Sequence, residues 1–289
     1  RRFMSENITH TAVTDDCARL ALYSPSICLP FKDVFSQHLE IARMGGMTRS
    51  GGKFVISLLG RYREAWSGAE QDELTAQKLA FVLGWLCHRA ADLQMKPIFR
   101  AVDGDCANNP TDCSVYHDVF LFREVYASGQ EPYAPGILSL ETGELEDALR
   151  SLWQRALVGM HTFIPDEQDV EGWLERLFAT RQQFYVDIRR YARAFARPDP
   201  VKVRRFLDEV NFYKADDPLI RIARSIQAGT PEAEIDLPAA VTAAGTQSQY
   251  AQALRRGYLY LEAASGYFEG QIDEEALADA LERGKQGVG

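Results

Sequence analysis

Cysteine is scarce in this chain. Only Cys17, Cys28, Cys87, Cys106 and Cys113 occur among 289 residues, an odd number with no C-x-x-C spacing. That excludes a disulfide scaffold or a four-thiolate zinc module. The thiols are expected to be mostly reduced, in a cytoplasmic protein. Cys106 and Cys113 flank a turn-rich loop and are the pair expected to close if the protein is exported. Long apolar runs are also missing. No stretch approaches the roughly 18 residues of a transmembrane helix, and Arg1-Arg2 is not followed by the apolar run of a signal peptide. Positive charge is short: 32 Lys and Arg face 41 Asp and Glu, for a net charge of −9. Such a chain repels phosphate backbones at long range, which argues against duplex nucleic acid as a partner.

Familiar catalytic signatures are absent as well. There is no Gly-x-Ser-x-Gly elbow. The stretch Gly46-Met47-Thr48-Arg49-Ser50-Gly51-Gly52-Lys53 is followed by Phe54 and preceded by a helical pattern. A phosphate loop needs Ser or Thr after the lysine and a strand before the loop, so nucleotide binding of that type is rejected. Asp103-Gly104-Asp105 with Asn108 lacks the distal glutamate of a calcium loop. No alternating apolar pattern of a strand is evident.

What remains is helical periodicity, and the fold class it predicts is all-α, a multi-helix bundle. Ser67-Gly68-Ala69-Glu70 reads as a capping box. The helix expected after it, about residues 69–96, is apolar over most of its circumference (Leu79, Val82, Leu83, Leu86 and Ala90, with Phe81 and Trp85 on a second stripe), which makes it central and buried. Pro97 is expected to stop it. Further helices are expected over 12–23, 31–43, 114–127, 141–160, 167–196, 200–212, 217–228, 248–265 and 273–284. Loops are expected at 44–53, 101–113, 129–138 and 229–246. Phe163-Ile164-Pro165-Asp166 marks a soft boundary between a helical core, 1–165, and a helical C-terminal region, 166–289.

All five histidines (His10, His38, His88, His117 and His161) precede that boundary. Histidine-dependent chemistry therefore belongs to the first half. His88 and Asp92 stand one turn apart on the central helix, so an imidazole and a carboxylate converge on one point, a good half-site for zinc or a related ion. The same spacing also suits a plain His–Asp hydrogen bond, or an ion pair of Asp92 with Arg89 or Lys96. His10 lies in Asn7-Ile8-Thr9-His10-Thr11, read as the segment just before a helix. His117, with Asp118 beside it and Glu124 about 10.5 Å further along its helix, suits a second ligand group in one cleft. His38 sits on an apolar stripe and reads as a core residue.

"NITHTAVT" followed by "FVLGWLCHRAADLQMKP" resembles the zinc-dependent phospholipase C and single-strand nuclease superfamily. The resemblance implies an all-α protein holding one to three zinc ions and hydrolysing a small-molecule or lipid phosphate ester. His10, His88, Asp92 and His117 would be metal ligands, and Asp118 or Glu124 would orient the water. Where that family places a further histidine beyond the helix aspartate, this chain has Gln94-Met95-Lys96-Pro97, and Asp33 is the candidate for an acidic ligand between His10 and the central helix. A second likeness, His88 … His117-Asp118 … Asp187, is similar to the HD-type metal phosphohydrolases. The competing reading is a non-catalytic helical binding or structural protein with an eroded metal site.

Overall fold

A computed structural model describes residues 7–47, 52–66, 73–102, 118, 120, 121, 123–126, 205–231 and 236–283. Every regular element among them is helical, and none is a strand. In chain order these are α1 (Asn7–Tyr23), α2 (Leu29–Gln37), α3 (Leu39–Gly46), α4 (Gly52–Trp66), α5 (Glu73–Val102), α6 (Pro218–Gln227), α7 (Leu237–Ala243), α8 (Gln249–Phe268) and α9 (Glu274–Arg283). A π turn spans Arg205–Glu209 and a 3-10 turn spans Ala244–Thr246.

The central position of α5 follows from its side chains. Residues 79–91 are buried without interruption, which a helix tolerates only when it is surrounded. Packed on it are α1, α2, α3, α4 and α8, with α3 and α8 in the longest contacts. One hydrophobic core runs from Ile8 on α1 through Trp85 and Leu121 to Leu281 on α9. The described parts of 7–126 and 205–283 therefore share a core. The soft boundary at 163–166 lies outside the described residues.

Several local expectations are corrected. Pro97 does not stop α5, which continues to Val102. The proline removes one backbone donor, but Ile98 just beyond it packs on the core and holds the helix direction. The single helix expected over 31–43 is broken at His38 (φ −129°, ψ 34°), and α3 then runs through Met44, Gly45 and Gly46, which had read as loop. Of the helix expected over 200–212, residues 200–204 lie outside the described residues, 205–209 form the π turn, and Asn211 at φ 51° breaks the helical path after it. The expected loop 229–246 contains α7, whose N-cap Asp236 accepts a hydrogen bond from the Ala239 N–H at 2.9 Å. No helix was anticipated where α4 lies, although Val55, Leu58, Leu59 and Tyr62, all buried, carry the 3–4 spacing that would have revealed it. The capping signal at Ser67 lies outside the described residues.

Glycine governs how α3 meets α5. A Cβ on Gly84 would stand 1.8 Å from the Ala42 carbonyl oxygen, and one on Gly45 would stand 2.0 Å from the Phe81 carbonyl oxygen. The two backbones are thus in direct contact. A Cβ on Gly46 would meet Thr14 Oγ1 of α1 at 2.2 Å. Three helices close on one point, and the histidines converge there.

Two adjacent acids tie the bundle together from α1. Asp15 accepts hydrogen bonds from Arg43 Nε (2.7 Å) and Nη2 (2.9 Å) of α3 and from the Tyr126 hydroxyl (2.8 Å). Asp16 accepts from Arg19 Nη1 at 2.7 Å, from the Tyr250 hydroxyl of α8 at 2.8 Å, and from Arg224 Nη2 of α6. Both carboxylates are fully buried.

Candidate metal centre

The site is built from α1, α3 and α5. His10 lies inside the first turn of α1, not ahead of the helix as expected. His88 and Asp92 lie one turn apart on α5. The two imidazoles stack with ring centroids 4.2 Å apart and planes 23° from parallel. Both direct Nε2 at the same carboxylate: His10 Nε2 is 3.4 Å from Asp92 Oδ1, and His88 Nε2 is 3.5 Å from Asp92 Oδ2. Among the described residues this is the one group of His, Cys, Asp and Glu whose ligand atoms (three of them) all lie within 4.8 Å of one another.

The orientation of His88 is fixed from behind. Its Nδ1 lies 2.9 Å from the Gly46 carbonyl oxygen. A carbonyl only accepts, so Nδ1 carries the proton and donates it, and Nε2 of the neutral ring presents a lone pair. Burial pushes the His88 pKa down, His10 pushes it further, and Asp92 and the Gly46 carbonyl only partly oppose this. The neutral ring, the form that ligates metals, is therefore favoured. Its Nε2 is buried and makes no hydrogen bond. The Lys96 ammonium, hydrogen-bonded to Asp92, favours its ionised form. A lone pair thus faces an ionised carboxylate, two electron-rich groups that call for a cation between them.

The spacing suits such an ion. Two ligands about 2.05 Å from a tetrahedral zinc ion stand roughly 3.3–3.4 Å apart, close to the two nitrogen–oxygen separations of 3.4 and 3.5 Å. The Gly46 carbonyl supplies the outer-shell acceptor that ligating histidines ordinarily have. Lys96, one turn further along α5, places Nζ 3.1 Å from Asp92 Oδ2. Arg89 goes elsewhere, to the Leu281 carbonyl and Glu282 of α9.

The remaining expected residues fare differently. His117, His161, Asp187, Cys106 and Cys113 lie outside the described residues. Asp118 is buried at the N-terminus of α1: its Oδ1 accepts from the Thr9 N–H (2.9 Å) and hydroxyl (2.6 Å), and its Oδ2 from the Ile8 N–H (3.4 Å). It satisfies first-turn donors and opposes the positive end of the helix. Asp118 therefore braces the turn that carries His10. Asp118→Asn is expected to lower stability by about 1–2 kcal/mol, read by urea denaturation. A water-orienting role would instead leave the midpoint unchanged and abolish turnover alone. Glu124 is exposed and is no part of the three-residue group. Asp33 is half-buried and also outside it. His38 sits at the α2–α3 junction with Nδ1 3.6 Å from Glu73 Oε1.

Sequence reading missed Gly46, Asp15 and Asp16. Gly46 had a signal in the glycine pair beside an apolar helix. The acids had little, because apart from Arg19, three residues from Asp16, their partners Arg43, Tyr126, Arg224 and Tyr250 lie far away in the chain.

No protein-family model, curated protein or solved structure matches the chain.

Proposed function

We propose that this protein holds a divalent metal ion, zinc by its donor set, on His10, His88 and Asp92, and hydrolyses a phosphate ester there. The observation that carries the metal reading is the buried His88 Nε2, its proton fixed on the far nitrogen by Gly46 and its lone pair aimed at Asp92. The phosphate-ester chemistry rests on the likeness of NITHTAVT and FVLGWLCHRAADLQMKP to the zinc-dependent phospholipase C superfamily.

When bound, such an ion supplies Lewis acidity toward a phosphoryl oxygen and acidifies water toward neutral pH. The chain's own residues do the rest. The Gly46 carbonyl holds the His88 ring in one tautomer, and α1 holds His10 stacked on it. Asp92 would complete the ligand set with its carboxylate, which faces both imidazoles. Three ligand atoms suffice for one ion with a coordination position left for substrate. No helix among the described residues is long and apolar enough to cross a membrane.

Elemental analysis of the purified protein is expected to find about one equivalent of zinc or a similar ion, largely lost in His88→Ala and in His10→Ala but retained in Asp187→Ala. Loss with Asp187→Ala and not with His10→Ala would favour the HD-type reading instead. Absence of metal, with no turnover across a panel of phosphate mono- and diesters, would overturn the enzyme reading. The Lys96 ammonium on Asp92 favours one second reading, a helical binding or structural protein whose carboxylate is already neutralised, and that result would leave it standing.

A further inference from the structure

We propose that Lys96 is an anion-receiving arm that couples phosphate binding to metal loading. The inference rests on the metal reading above. Lys96 and His88 address the same oxygen: Nζ is 3.1 Å and Nε2 is 3.5 Å from Asp92 Oδ2. The site is closed on the histidine side and open on the lysine side, since the side chains of His10, His88, Asp92 and Lys96 are 6%, 3%, 25% and 46% exposed. Of these four side chains Lys96 is the most open to solvent.

Charge balance decides what that arm receives. Ligating histidines are neutral. A divalent ion, two neutral imidazoles, the Asp92 carboxylate and the Lys96 ammonium carry a net charge of about +2, against about +1 without the lysine. A metal ion sharing an oxygen with an ammonium is repelled by it. An exposed Asp–Lys pair one turn apart on a helix is held only weakly, so the long lysine stem releases Asp92 readily once an anion offers a better partner. A phosphate dianion bridging the ion and the ammonium removes the repulsion and balances the charge. A monoanionic diester does half as much. Anion and ion therefore bind cooperatively in the wild-type protein, and the cooperativity is reciprocal. The substrate class this favours has a terminal phosphate, a monoester rather than a diester.

Zinc affinity of the full chain, measured by competition with a chromophoric chelator, tests this. The comparison uses wild type, Lys96→Met and Lys96→Arg, each alone, with inorganic phosphate and with dimethyl phosphate. Lys96→Met is expected to bind zinc roughly ten-fold more tightly than wild type without anion. Inorganic phosphate is expected to tighten zinc binding at least about five-fold in wild type and Lys96→Arg, and by a clearly smaller factor in Lys96→Met. Dimethyl phosphate has the smaller effect. Equal zinc affinity in wild type and Lys96→Met, or an equal phosphate effect in both, overturns the role of Lys96 and leaves the metal reading intact. Failure of all three proteins to bind zinc sinks the metal reading itself, and this inference with it. Lys96 is a half-exposed side chain whose one polar contact described is with Asp92, so the variants are expected to unfold at the wild-type denaturant midpoint.

Discussion

Gly84→Ala is expected to destabilise the protein by about 2 kcal/mol or more, and to weaken metal binding with it. Helix propensity alone predicts the opposite sign, because alanine in a helix interior is worth about 1 kcal/mol over glycine. The packing term decides. The added Cβ would lie 1.8 Å from the Ala42 carbonyl oxygen, 2.6 Å from its carbon and 2.9 Å from the Gly46 nitrogen. All three are backbone atoms of α3, so no rotamer change relieves the clash. The helices must separate by more than an ångström, and core overpacking of this kind costs about 1–3 kcal/mol or more. The displaced segment carries the Gly46 carbonyl, which holds His88 Nδ1 at 2.9 Å, so the ring loses its orientation. Gly266→Ala is the control. It lies in α8, and its nearest contact would be Gln271 Oε1 at 3.6 Å, ordinary van der Waals distance. That change is expected to be neutral or to stabilise by up to about 1 kcal/mol. Urea titrations of both variants decide the matter, and a Gly84→Ala midpoint at or above wild type would show that α3 and α5 are not packed backbone to backbone.

The same crossing explains what the sequence could disclose of the site. His88 and Asp92 are legible because they are local: one helix and one turn suffice to put them side by side, and Lys96 follows by the same rule. The all-α class and the burial of α5 were equally plain in the spacing of Leu79, Val82, Leu83 and Leu86. The joining of His10 to His88 depends on α1 meeting α5, and no local pattern encodes that. The glycines misled. Gly45 and Gly46 beside Thr48, Arg49 and Ser50 look like a loop, because glycine is costly in a helix. Here they are retained because any side chain would keep α3 away from α5 and α1. Asp15 and Asp16 went unread. Adjacent acids on a helix suggest a solvated face, and only the arrival of Arg43, Arg224, Tyr126 and Tyr250 from elsewhere in the chain makes their burial tolerable. The break at His38 had no proline or glycine to announce it.

Asp16→Ala is expected to cost about 3–5 kcal/mol, the range for removing one partner of a buried ion pair. The carboxylate is fully buried and receives Arg19, Arg224 and Tyr250. Deleting it leaves two guanidinium groups, largely withdrawn from water, without their counter-charge, and leaves the deeply buried Tyr250 hydroxyl without its acceptor. Tyr250→Phe removes one neutral-to-charged hydrogen bond and is expected to cost about 1.5–3 kcal/mol. The two losses share one bond, so the double variant is expected to be less destabilised than the sum of the singles, by roughly 1–3 kcal/mol. The effect also has an address. Asp16 links α1 to α6 and α8, so its loss loosens residues 218–268 from α1, whereas Asp15 links α1 to α3 through Arg43. Hydrogen exchange on Asp16→Ala is therefore expected to rise first in α6 and in the half of α8 nearest Tyr250, with the α3–α5 crossing protected longer. Strict additivity in the cycle, or uniform loss of protection across the bundle, would rule out Asp16 as the pin between α1 and the C-terminal helices.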